Sequence, residues 1–124
     1  MREAIRYLTN AREILKTAPI EGKFYADKKP VREAFGTAYL ALLEAINEAL
    51  LARGYIKKEL PKKVEEYQKA LKKHFGVHNG KLMKEFDQLY DALHIAGYYR
   101  ADILHVHAVK DYLAAAKAFI DKVK

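Results

Sequence analysis

A chain of 124 residues that is 51% hydrophobic and 31% charged has the make-up of one domain, spanning 1–124, with its own core. It contains no cysteine and no serine, which excludes disulfides, thiolate metal sites and every cysteine or serine nucleophile. The net charge of +7 suits an anionic partner. Charges interrupt each apolar run before the roughly 20 residues of a membrane span, and Met1 leads straight into an amphipathic stretch, so the expectation is a cytoplasmic protein with no membrane segment.

Residues 2–17 place Ile5, Leu8, Ala11 and Leu15 on one stripe, flanked by Tyr7 and Ile14, with Arg2, Arg6, Arg12 and Glu13 outside; this predicts the first helix. Ala18 to Lys29, carrying Pro19, Gly22 and paired lysines, reads as a loop. Pro30 suits a first helical turn and Gly54 the residue beyond a helix end. Between them Val31, Ala34, Phe35, Ala38, Leu42, Ala45 and Ala49, with Tyr39, Ile46 and Leu50 beside them, define the central helix. Its small residues permit close approach of neighbours, and Gly36 marks a close crossing. Pro61 and Gly76 bracket a narrower stripe of Val64, Tyr67, Leu71 and Phe75. His78-Asn79-Gly80 is a turn, and Leu82, Phe86, Leu89, Tyr90 and Leu93 form a helix that meets Gly97. Val106, Val109, Leu113, Ala116, Ile120 and Val123 repeat by threes and fours, as in a bundle seam. No stretch alternates with period two, so no sheet is expected. The fold class is an all-α antiparallel up-and-down bundle of four to five helices.

The chemistry gathers in Tyr98-Tyr99-Arg100-Ala101-Asp102-Ile103-Leu104-His105-Val106-His107. A guanidinium, always charged, can stabilise phosphoryl oxygens, and an imidazole, titrating near neutrality, can move a proton. Two geometries are open. In an unbroken helix Arg100 and His107 lie about 20° apart in projection and Asp111 can orient the histidine, whereas His105 lies about 140° from Arg100. If the segment after Gly97 is irregular and the last helix starts near Asp102, His105 stands in its first turn beside the loop holding Arg100. Tyr98 and Tyr99, next to a helix-breaking glycine, are candidates for stacking on bases, with Asp102 beside them; Tyr25 in the first loop is a weaker one. The lysines from Lys57 to Lys73, interspersed with Glu59, Glu65 and Glu66, read as a solvated face; binding phosphate there requires that the face border the Arg-His site. Neither the His74/His78 pair nor the His105/His107 pair has a carboxylate placed to complete a metal site, and no phosphate-loop, dinucleotide or H-E-x-x-H motif occurs, so no metal or cofactor is expected.

Arg100-x4-His105 and Arg100-x6-His107, with Ala38-Tyr39-Leu40-Ala41 and Ala49-Leu50-Leu51-Ala52-Arg53-Gly54 in the long second helix, resemble the HEPN superfamily of small helical bundles and its R-x4–6-H signature. The similarity runs from about Val31 to the C-terminus. It implies a metal-independent endoribonuclease, often dimeric with both motifs facing one cleft, in which the histidine acts on the 2′-hydroxyl and the arginine on the scissile phosphate. Other HEPN proteins are non-catalytic partners of nucleotidyltransferases. Ala101, where the nuclease branch often has a polar residue, and His107, where the toxin branch often has tyrosine, depart from those patterns. The expected partners are therefore RNA, a second copy of the chain, or a nucleotidyltransferase subunit.

Overall fold

The computed structural model describes residues 2–76 and 80–123 and is an all-α bundle. Its helices are α1 (Arg2–Lys16), α2 (Lys28–Ala52), α3 (Val64–Phe75), α4 (Lys81–Leu89), continued without a break by a π-helix over Tyr90–Tyr99, and α5 (Val106–Val123). His78 and Asn79 of the expected turn lie outside the described residues.

The centre is α2, which packs against α1, the π-helix and α5. Ala34, Phe35, Ala38, Ala41, Leu42, Ala45, Ile46 and Leu50 are all fully buried. Alanine at four of these positions lets neighbouring backbones come close. By length and composition α2 could cross a bilayer, but 56% of its most apolar window is buried inside the bundle, which accounts for those residues as core. Each fully buried large apolar side chain contributes about 1.5–3 kcal/mol relative to exposure.

The ends of α2 follow local chemistry. The Asp27 carboxylate accepts the Lys29 amide at 3.0 Å, so the helix begins two residues before Pro30, which still fits the first turn where no amide donor is needed. At the other end Gly54, at φ +100°, turns the chain back. Tyr55 N then donates to Leu50 O and Gly54 N to Leu51 O, both at 3.1 Å, satisfying the last carbonyls.

The segment expected as a loop contains a hairpin, and the expectation of no sheet is corrected to that extent. β1 (Ile20–Glu21) pairs antiparallel with β2 (Phe24–Tyr25) about a two-residue turn, with Gly22 at φ +61°. β2 also makes a bridge to His105, framed by Tyr25 N to Leu104 O and Val106 N to Lys23 O, each 2.9 Å. The hairpin leads into α2 and is tied to the start of α5. Both helices therefore begin at the same end of the bundle, and the π-helix finishes there.

Candidate nucleic-acid interface

The π-helix ends through Arg100, whose amide donates to Ile95 O at 3.0 Å, and Ala101 then takes the left-handed conformation, φ +53°. This reversal is a non-glycine strain of roughly 1–2 kcal/mol, held by Asp102 N bonding to Ala96 O at 2.9 Å and by burial of the Ala101 methyl. Residues 101–104 are irregular, His105 is the last residue before α5, and its carbonyl accepts the Val109 amide at 3.0 Å. The unbroken helix carrying Arg100 and His107 on one face is thus excluded. The break falls at Ala101 rather than Gly97, and α5 starts at Val106 rather than near Asp102.

The sequence-predicted residues fall into two groups. Tyr98 and Tyr99 touch each other, with ring centroids 5.5 Å apart, and are exposed by 39% and 63%. His105 and His107 form the second group, their rings 5.9 Å apart because His105 precedes the helix. His105 also meets Phe24 edge to face at 5.3 Å. The Arg100 side chain is exposed and, among the described residues, makes no hydrogen bond or ion pair, either to the two histidines or to any other residue. Asp102 is exposed, and Asp111 makes no hydrogen bond to His107.

His94, Arg32 and their neighbours also belong to this end. His94 stacks on Tyr39 at 4.7 Å, lies parallel to Tyr98 at 6.1 Å, and meets Tyr99 edge-on at 5.1 Å and Tyr90 at 5.4 Å. Burial pushes the His94 imidazole below its ordinary pKa, and burial raises that of the Tyr39 phenol, so the stack is uncharged at neutral pH. Arg32 donates from Nε to the Tyr98 carbonyl at 2.8 Å and lays its guanidinium 5.7 Å from the Tyr98 ring centroid. The Tyr90-His94-Tyr98 spacing of four was the signal available in the sequence for His94. Phe24 had none, because its partner His105 is distant in the chain.

A recess of about 410 Å³ lies beside Tyr98, lined also by Asp27, Lys28, Lys29, Arg32 and Glu33. Aromatic faces flanked by lysine and arginine can take a base by stacking and a phosphate by charge. The first turns of α2 and α5 add their positive dipole ends. The lysine face of α3 lies elsewhere. Tyr67 of α3 lies beside Asn47, fifteen residues or roughly 22 Å along α2 from Arg32, so that face does not border the Arg100 loop. Its carboxylates Glu59 and Glu66 accept backbone amides of Ile56 and Lys62 at 2.9 and 2.6 Å. Among the described residues no group of three or more histidines and carboxylates could hold a metal ion.

Fold and site together define a small helical bundle with an aromatic, cationic end. The chain matches along residues 1–124 a family described as a domain of unknown function (DUF5618), and it belongs to that family. Among solved structures it is similar to a protein of unknown function from Dyadobacter fermentans, with 31% identity and a TM-score of 0.79 over 98% of this chain and 90% of that one. No curated protein matches it.

Proposed function

We propose that this chain is an HEPN-type RNA-binding domain in which Arg100 and His105 carry out metal-independent endoribonucleolytic cleavage. The observation that carries the reading is the loop from Arg100 to His107. It presents an unpaired guanidinium and two imidazoles at the same end of the bundle as exposed Tyr98 and Tyr99. Tyr98 and Tyr99 stack on unpaired bases, and Lys28, Lys29 and Arg32 hold the phosphates. Arg100 stabilises the charge growing on the scissile phosphate while His105 takes the 2′-hydroxyl proton. No hydrogen bond joins Arg100 to His105 among the described residues, and in this reading the working pair forms across a homodimer cleft, with one protomer's arginine beside the other's histidine.

A second reading, a non-catalytic module that partners a nucleotidyltransferase or binds a nucleotide, draws support from the edge-on packing of His105 against Phe24, which gives that ring a structural role. Incubating single-stranded RNA with the purified protein in EDTA separates the two. Cleavage that Arg100→Ala and His105→Ala abolish supports the nuclease. RNA or nucleotide binding without cleavage supports the module.

A further inference from the structure

A second concavity lies on another side of the hairpin, between the end of α1, β1 and the first turns of α5, with a volume of about 500 Å³. Its walls are Leu15, Ile20, Tyr25 and Leu113, and its remaining lining residues are three cations, Arg12, Lys16 and Lys110. No carboxylate lines it. Lys16 is engaged by Glu13 at 2.8 Å, while Arg12 and Lys110 have no ion-pair partner among the described residues.

Tyr25 supplies a second, independent observation. Its side chain lines the cavity with only 4% of the residue exposed, and its hydroxyl, which is not among the buried atoms, has no hydrogen-bond partner among the described residues. Burial alone raises its pKa, so it is a neutral donor at physiological pH. A hydroxyl that opens into the cavity with no protein partner is a donor available to a bound acceptor. A cavity of this size lies within the range used for small organic ligands, and such sites combine apolar walls with a few placed polar groups.

We infer that this cavity binds a small amphipathic monoanion, an apolar chain or ring system ending in a carboxylate or similar head. The apolar body lies against Leu15, Ile20 and Leu113. The head accepts the Tyr25 hydroxyl proton in a hydrogen bond and faces Arg12 and Lys110. This site is independent of the RNA reading, although it shares the hairpin with His105, since the Tyr25 amide is bonded to the Leu104 carbonyl at 2.9 Å.

The test titrates the folded protein with 1-anilinonaphthalene-8-sulfonate, an apolar fluorophore with one anionic group, and competes it with decanoate or decanol. Saturable one-to-one binding is expected, displaced by decanoate at concentrations where decanol displaces little. Tyr25→Phe removes one hydroxyl that has no protein partner and leaves the far-ultraviolet spectrum unchanged. It is expected to weaken binding about tenfold, as for a hydrogen bond to a charged group, and Lys110→Glu about fivefold. Absence of saturable binding, equal displacement by decanol, or affinity unchanged in both variants overturns the proposal. Fluorescence that rises only with protein self-association overturns it in favour of a contact between copies.

Discussion

Gly97 sits inside the π-helix, and substituting it tests how that segment is held against α2. An added Cβ would lie 2.5 and 2.6 Å from two carbons of the Phe35 ring and 2.9 Å from the Ala92 carbonyl oxygen. Phe35 is fully buried at the centre of the bundle, so its ring has nowhere to go. Overpacking costs about 1–3 kcal/mol, and contacts this short against a ring that cannot move fall in the upper part of that range, about 2–3 kcal/mol, against which the helix propensity of alanine returns about 0.8–1 kcal/mol. Gly97→Ala should therefore destabilise by a net of about 1–2 kcal/mol, a fall in Tm of roughly 3–10 °C for a domain of this size. Gly36→Ala provides the contrast. Its Cβ would meet the Tyr98 ring at 2.9 Å, but Tyr98 is 39% exposed and can swing outward. That variant should be near neutral in stability, with its effect confined to the tyrosines. Scanning calorimetry or a urea titration of both variants decides the matter. A Gly97→Ala protein as stable as the parent would refute the close packing of the π-helix on Phe35.

Leu42 is fully buried on α2, so Leu42→Ala should cost about 2–5 kcal/mol by urea denaturation, and a loss below 1 kcal/mol would contradict its place in the core. His94 titrates at a depressed pKa in the folded state because of burial, so the unfolded chain binds more protons as pH falls below about 6.5. The stability tied to His94 is therefore intact above that pH and is lost as pH drops through the folded value; His94→Gln should flatten the loss between pH 7.5 and 5, and an unchanged slope would count against it. Tyr99→Ala should weaken single-stranded RNA binding by about 1–3 kcal/mol in a fluorescence-anisotropy titration, leaving Tm unchanged because its ring is 63% exposed. Light scattering should give a dimer at micromolar concentration; a monomer would remove the composite cleft.

The periodic helices were legible because burial and the 3.6-residue repeat coincide. Val109, Leu113, Ala116, Ile120 and Val123 of α5 are all buried, as their spacing predicts. The alanines of α2 likewise forecast close neighbours. Three features near the candidate site were not legible. The hairpin strands have two residues each, too short to alternate, and their further partner His105 is eighty residues away. The apolar spacing of three and four at Leu82, Phe86 and Leu89 of α4 runs on unchanged to Leu93 in the π-helix, so nothing local marks where the α-helix ends. The reversal at Ala101 uses a residue type that seldom adopts positive φ, whereas the glycine four positions earlier attracted the prediction of a break. Gly97 is there for packing, against Phe35. The residue types of the site were thus readable, and their arrangement was set by tertiary contacts that no local pattern records.

The most direct test of the central claim is cleavage of single-stranded RNA in EDTA by the parent protein and by the Arg100→Ala, His105→Ala and His107→Ala variants, each checked for folding. Proton transfer of this kind contributes about 10²–10⁴ in rate, and loss of charge stabilisation a comparable factor. The account predicts metal-independent cleavage by the parent, none detectable after either of the first two substitutions, and most of it retained by His107→Ala. Cleavage undiminished in both the Arg100 and His105 variants would contradict it.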